Sequence, residues 1–306
     1  MLMLDAAEVA RRLPWGALID ALDAMFREGC AAPLRHRHAV GETSLLLMPA
    51  WRAGGHTGVK IVHVAPGNAA RGEAAVNAVY LLSDAATGAP RAMLDGGMLT
   101  DRRTAATSVL AARHLARPDA ARLLLLGSGK VAHALAGAYR AQFPIIDIVI
   151  WSRRAENAEA LARRLAEHGH PARAVVRPDL AAADIIACAT LATEPLVRGG
   201  DLGPGVHLDL VGAYRPDMRE ADGAALARAR LVVDTRAGAL AEAGDLLQAI
   251  AEGTITEAHV VAELAELCRG EVAGRETPDQ VTVFKSVGWA GEDLAAAILA
   301  CGAGAA

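Results

Sequence analysis

From residue 119 to about 280 the chain repeats one alternation: an apolar strand-like run, a turn, then a helical stretch. RLLLLGSG leads into KVAHALAGAYRAQ, and IIDIVIW leads into RRAENAEALARRLAEHG. ARAVVRP, ADIIACAT, VHLDLVGA and ARLVVDT supply four further strand-like runs with helical or loop crossovers. Runs of Leu, Ile and Val without polar alternation suit strands covered on both faces. Strands alternating with helices predict a parallel sheet, and right-handed crossovers make it a doubly wound domain over 119–280.

The flanking segments follow another pattern. Residues 5–29 read as two short helices, with Asp5 as an N-cap and Pro14 restarting the second. From 35 to 100, short strand-like runs separated by turn signals such as APGN and AATG predict a mostly antiparallel sheet. LTDRRTAATSVLAARHLA is a helix leading out of that block and ended by Pro118. The last stretch, TVFKSVGWAGEDLAAAILA, reads as strand, turn and helix packing back on the first block. The expected organisation is an α+β domain built from both chain ends, 1–118 and 281–306, with the doubly wound domain between them.

A net charge of −4 with both signs mixed, and aromatic residues at only 3%, exclude a basic stripe or a base-stacking platform for nucleic acid. Cys30, Cys188, Cys268 and Cys301 lack the close spacing of a zinc site or a disulfide framework. They read as reduced thiols in a cytoplasmic protein. Charges at Asp5, Glu8, Arg11 and Arg12 interrupt any signal-peptide core, and no apolar run approaches the roughly 20 residues that span a bilayer. No membrane partner is expected. The ten histidines show no metal-binding spacing, so no metal is expected either.

The chemistry starts at the first glycine turn of the repeat. In GSGKVA, Gly127 permits the tight turn, Gly129 lets the backbone approach a pyrophosphate, and Ala132 lets helix and strand pack closely. Ser128, Lys130 and Val131 complete a loop whose helix N-terminus attracts an anion. A dinucleotide cofactor is expected there. The second strand ends in WSRR, where an NAD enzyme would carry an acid for the adenosine ribose. Ser152, Arg153 and Arg154 instead suit a 2′-phosphate, which favours NADPH, with NADH as the alternative.

Three cations lie in the first block: Arg35 in PLRHRH, Lys60 in GVKIVHV and Arg103 in TDRRTAATS. Lys60 interrupts a β-run, where a lysine is either an edge residue or a ligand group. Arg103 precedes Thr104 and a helix of small residues whose backbone a ligand can approach, which makes Thr104 a candidate cofactor contact. Together the three cations would suit a small carboxylate. Spacing alone leaves open whether they meet.

GVKIVHVAPGNAARG, YLLSDAATGAPRAMLDGGMLTDRRTAATS, LLLLGSGKVA, VGAYRPDMREAD and VTVFKSVGWAGEDLAAA, in that order, resemble the ornithine cyclodeaminase/mu-crystallin family over nearly the whole chain. The resemblance implies a substrate-binding and dimerisation domain made of both chain ends, a Rossmann-type domain between them, and a homodimer joined through the first. By resemblance, Arg35, Lys60 and Arg103 match the ligands of the substrate carboxylate, and Gly127 to Ala132 match the pyrophosphate site. Thr190, Asp234, Ser286, Val287 and Gly288 match positions lining the cofactor site. Gly72-Glu73 departs from the family pattern of glycine, an apolar residue and proline.

Members of this family differ in chemistry, and the segment VGAYRPDMRE, residues 211–220, is where they differ most. Cyclodeaminases resemble VGGD there, and Tyr214 stands where their aspartate would be. A phenol with a pKa of about 10 is a poor base near neutrality, and Asp217 lies beyond Pro216. The chain therefore looks most like bacterial Δ1-pyrroline-2-carboxylate reductases, which also take Δ1-piperideine-2-carboxylate and yield L-proline or L-pipecolate. In that reading Arg35, Lys60 and Arg103 hold the carboxylate and fix the imine carbon, Lys60 holds or delivers a proton, and Tyr214 closes the ring pocket or packs as a strand-end aromatic. The alternatives are an ornithine cyclodeaminase, an alanine-type amino-acid dehydrogenase, and a non-catalytic NADPH-binding protein like mu-crystallin.

Overall fold

The computed structural model describes residues 1–302; residues 303–306, the end of the first domain expected above, lie outside the described residues. In chain order the elements are β1 (Leu2–Leu4), α1 (Ala6–Arg12), α2 (Trp15–Glu28), β2 (His36–Val40), β3 (Thr43–Trp51), β4 (His56–Val64), β5 (Val76–Asp84) and β6 (Pro90–Asp95). Then come α3 (Gly96–Leu115), β7 (Arg122–Leu126), α4 (Lys130–Gln142), β8 (Asp147–Trp151), α5 (Ala155–Glu167), β9 (Ala172–Ala174), β10 (Ile185–Cys188) and β11 (His207–Leu210). The chain closes with α6 (Gly223–Ala227), β12 (Arg230–Val233), α7 (Arg236–Glu242), α8 (Gly244–Ala251), β13 (Val260–Glu263), α9 (Leu264–Cys268), β14 (Thr282–Lys285) and α10 (Ala290–Ala300).

Two compact units result. Residues 1–104 with 289–306 form one, and residues 105–288 form the other, so the division falls within α3 and just after β14.

In the first unit a six-stranded sheet has the order β1-β6-β5-β4-β3-β2. Its strands β2 to β6 are antiparallel, while β1 pairs parallel to β6. The two opening helices form as the sequence predicts. The Asp5 side chain accepts the Glu8 N–H, and Pro14 precedes the first turn of α2. Alternation buries one face of the sheet. Met48, Lys60, Tyr80 and Leu94 are paired in one row across β3, β4, β5 and β6, and all four are buried. Helix α10 packs on β3, β4, β5 and α2. Strand β2 forms one sheet edge and is exposed along its whole length.

The second unit is the expected doubly wound domain. Its eight strands are parallel throughout, in the order β13-β12-β14-β11-β10-β7-β8-β9. Leu123 to Leu126 are all buried, as the unbroken apolar run requires. From β7 the chain proceeds to β8 and β9 on one side, then returns to place β10 on the other. Such a reversal opens a crevice at the carboxyl ends of the two central strands. Two features differ from the sequence reading. VVAE forms an eighth strand, β13, that was not expected. TVFK, expected to return to the first block, is β14 and lies inside this sheet between β11 and β12. Its four residues are fully buried, which only a central position provides. Of that segment, α10 alone belongs to the first unit.

Candidate active site

In the first unit, the row that buries Met48 and Tyr80 also buries Lys60, with 2% of its surface exposed. It is therefore no edge residue, and its charge needs a partner. Helix α10 supplies one. Lys60 Nζ donates to Asp293 Oδ1 at 2.9 Å and lies 2.8 Å from Oδ2. Arg103, 6% exposed on α3, places its Nε 3.1 Å from Asp293 Oδ1 and donates through Nη1 to Glu292 Oε2. Glu292 Oε1 also accepts the Trp289 N–H at 3.1 Å, closing the first turn of α10. Two carboxylates in the first turn are favoured by the partial positive charge of a helix N-terminus.

Burial, the Arg103 charge and, to a lesser extent, Arg35 lower the Lys60 pKa, while Asp293 raises it; the balance leaves it at about 8. Arg35, partly buried just before β2, is thus the weaker of the two arginines acting on Lys60. Lys60 and Arg103 are set side by side against Asp293 and Glu292. Tyr80 lies beside this group with its phenol over Gly58, where any Cβ would collide with the ring. Burial pushes its ionisation well above the usual range.

In the second unit the glycine loop follows β7. Gly127 has φ 122°, and a Cβ there would sit 2.5 Å from the Ala189 carbonyl oxygen. The requirement for glycine is thus both conformational and steric. Gly129 is the extended N-cap of α4, with no side chain capping that helix. Its first N–H groups therefore have no side-chain cap, which suits a helix N-terminus that receives an anion. Ser128 Oγ donates to Ser152 Oγ at 3.1 Å, joining the glycine loop to the end of β8. Arg153 and Arg154 are exposed beside it at the start of α5, and Lys130 is exposed in the first turn of α4. Glycine loop, uncapped helix and arginine pair fit the phosphates of a dinucleotide.

At the ends of β10 to β14 the residues singled out from the sequence are held by buried acids. Asp234 accepts the Thr235 N–H through Oδ1 at 2.7 Å. Its Oδ2 accepts Val287 N at 2.8 Å and Gly288 N at 2.7 Å, pinning the loop that also contains buried Ser286. Thr190 donates its N–H and its hydroxyl, each at 2.7 Å, to Glu220 Oε1. Glu220 is pushed up to about 7, chiefly by burial. Asp245 Oδ1 accepts the N–H groups of Glu220 at 2.6 Å and Ala221 at 2.9 Å. Lys285 lies 3.1 Å from Asp245 Oδ2 and donates to the Gly212 carbonyl.

These contacts fix the segment 211–220. Ala213 has φ 48°, an uncommon conformation for a residue with a Cβ, and its carbonyl accepts Gly244 N at 2.9 Å. The turn leaves Tyr214 37% exposed. Arg215 and Asp217 pair with each other at 2.9 Å through two hydrogen bonds on the exposed side.

The structure therefore brings Lys60 and Arg103 together through Asp293, next to Thr104 in the chain, with Arg35 near enough to act on the Lys60 charge. It joins Ser128 to Ser152, Gly127 to the Ala189-Thr190 turn, and Asp234 to Val287 and Gly288. Sequence reasoning missed Glu292, Asp293, Glu220, Asp245 and Lys285. Lys285 carried the same signal as Lys60, a lysine inside an apolar strand. The acids carried only the weak signal of charges at the start of a helix or the end of a loop.

A family model described as the ornithine cyclodeaminase/mu-crystallin family matches residues 1–301. A Δ1-pyrroline-2-carboxylate reductase of Paracoccus denitrificans (strain Pd 1222) is 39% identical over 300 residues, covering 95% of this chain and 93% of the relative. The structure of Thermococcus litoralis Δ1-pyrroline-2-carboxylate reductase in complex with NADH and L-proline matches with a TM-score of 0.94 at 33% identity. It covers 99% of this chain and 97% of the other. An archaeal alanine dehydrogenase dimer with bound NAD matches with a TM-score of 0.91 at 28% identity, covering 99% of this chain and 95% of that one.

Proposed function

The chain belongs to the ornithine cyclodeaminase/mu-crystallin family, and we propose that within it the protein reduces small cyclic ketimine carboxylates. It is a nicotinamide-dependent oxidoreductase acting on a C=N bond. The substrates are Δ1-pyrroline-2-carboxylate, Δ1-piperideine-2-carboxylate or both, and the products L-proline and L-pipecolate. The preferred cofactor is NADPH, bound on the glycine loop with its 2′-phosphate at Ser152, Arg153 and Arg154. The protein acts in the cytoplasm as a homodimer joined through the first unit, in keeping with the exposed edge strand β2.

The observation that carries the reading is the buried pairing of Lys60 and Arg103 through Asp293, which sets two cationic side chains in one place. Arg35, Lys60 and Arg103 bind the substrate carboxylate, with Lys60 also placed as a charged donor. Orientation and electrostatics supply most of the rate enhancement. A bound nicotinamide supplies the hydride that reduces the imine carbon. Lys60, with a pKa of about 8, keeps its proton near neutrality and holds or delivers it at the ring nitrogen. In the sequence, Tyr214 stands where a cyclodeaminase would carry the aspartate that deamination uses.

The same grip would serve an open-chain imino acid, and the likeness to an alanine dehydrogenase makes that the second reading. Oxidation of NADPH and of NADH, followed at steady state with each cyclic imine and with pyruvate plus ammonia, separates the two. Turnover of a cyclic imine at least about tenfold more efficient than of pyruvate, a difference of about 1.4 kcal/mol, is expected. No oxidation with either cyclic imine refutes the proposal.

A further inference from the structure

We propose that Asp293, on the C-terminal helix, is the positioning residue that aligns Lys60 with Arg103 and keeps Lys60 charged for the reaction. The inference rests on the reading that the Lys60 cluster receives the substrate. Asp293 is fully buried and meets both cations: 2.8 and 2.9 Å separate its oxygens from Lys60 Nζ, and 3.1 Å separates Oδ1 from Arg103 Nε. Glu292 neutralises Arg103 from its other side. Asp293 is thus the carboxylate shared by two groups that would otherwise repel.

The surroundings of Lys60 leave this task to Asp293. Across β3 it faces Met48, and across β5 it faces Tyr80, whose phenol stays neutral through the working range. Cys30 and Cys301, which act on Tyr80, have thiols raised by burial and are neutral as well. Arg103 on α3 and Arg35 before β2 both favour loss of the lysine proton, whereas Asp293 on α10 favours its retention. Without the Asp293 charge, Lys60 and Arg103 would share a buried site with Glu292 alone to offset them, leaving one net positive charge among the four groups. A buried lysine responds to that by deprotonating.

Asp293→Asn keeps the size of the side chain and removes its charge. The protein contains three lysines, Lys60, Lys130 and Lys285, so lysine labelled with 13C at Cε gives a spectrum assignable with Lys60→Arg. In Asp293→Asn the Lys60 titration midpoint is expected to fall by at least about one unit, since an opposite charge within ~4–6 Å shifts a pKa by that order. The basic limb of kcat/KM for the cyclic imine should move down by the same amount. Asp293→Glu should restore the midpoint but raise KM at least about tenfold, because the longer side chain cannot hold Lys60 and Arg103 at their present separation.

An unchanged Lys60 midpoint in Asp293→Asn overturns the proposal, as does an unchanged KM in Asp293→Glu. Should the Asn variant not fold, the Glu variant alone decides through the same two readouts. The spectroscopic titration needs no turnover. Wild-type protein inactive on every imine would refute the functional reading and leave the Lys60 titration to judge the electrostatic link.

Discussion

Replacing Asp234 tests whether the loop at 286–288 belongs to the cofactor site or is only a connection. Its carboxylate is fully buried and accepts three backbone N–H groups at 2.7, 2.8 and 2.7 Å. Two of these come from the loop itself, where Gly288 turns with φ 89°. Hydrogen bonds to a charged acceptor contribute about 1.5–3 kcal/mol each, so Asp234→Ala removes on the order of 3–6 kcal/mol of restraint on the loop. Water can reach the partly exposed Gly288 once the loop opens, which reduces the cost to roughly 2–4 kcal/mol. For a unit of this size, 1 kcal/mol corresponds to about 2–4 °C, so a fall in Tm of roughly 5–15 °C is expected. If Ser286, Val287 and Gly288 contact the cofactor, its Kd should rise at least about tenfold, equivalent to 1.4 kcal/mol. Asp234→Asn should fall between: its amide oxygen can still accept from the loop, but its NH2 group would face the Thr235 N–H. Differential scanning fluorimetry and calorimetric titration with NADPH measure the two effects. A variant with an unchanged Tm and Kd would refute the hydrogen-bond reasoning. A lowered Tm with unchanged Kd would remove the loop from the cofactor site.

Two further outcomes follow from the second unit. The double variant Arg153→Ala, Arg154→Ala should lose at least about tenfold in kcat/KM for NADPH while keeping its value for NADH, because only a 2′-phosphate uses both guanidinium groups; equal losses with the two cofactors would exclude that role. Asp209, buried beside Ser108 and Tyr139, has its pKa raised to about 7 by burial. The unfolded chain ionises this carboxyl near its ordinary value, so the stability contributed by the neutral form is complete below about pH 4 and is lost as pH rises to about 7. Thermal unfolding measured from pH 4 to 8 should show a smaller decline in Asp209→Asn than in the parent; parallel curves would contradict the assignment.

The alternation of apolar runs and helices was enough to specify the doubly wound unit, because a strand buried on both faces tolerates a polar position only where a partner satisfies it. The glycine loop was equally legible: Gly127 must turn at positive φ against a neighbouring carbonyl, and only glycine can. Lys60 was legible as an anomaly, a charge placed where alternation demands burial. Its meaning was not, because the partner that makes the burial possible, Asp293, lies 233 residues away. Nothing local distinguishes that aspartate from any other acid in a first helical turn. The same limit hid the placement of TVFK. Its composition announces a buried strand, but whether it completes one sheet or another depends on which edge is open when it arrives, and β11 and β12 left a gap that it fills. Glu220, Asp245 and Lys285 met for a similar reason. Each is costly to bury alone, and only folding brings together the partners that make their burial tolerable. The sequence by itself thus determined most of the elements, the glycine turn and the candidate cations. The tertiary structure decided which charges meet, because electrostatic pairing in a buried site depends on distances of a few ångströms between segments that local pattern does not relate.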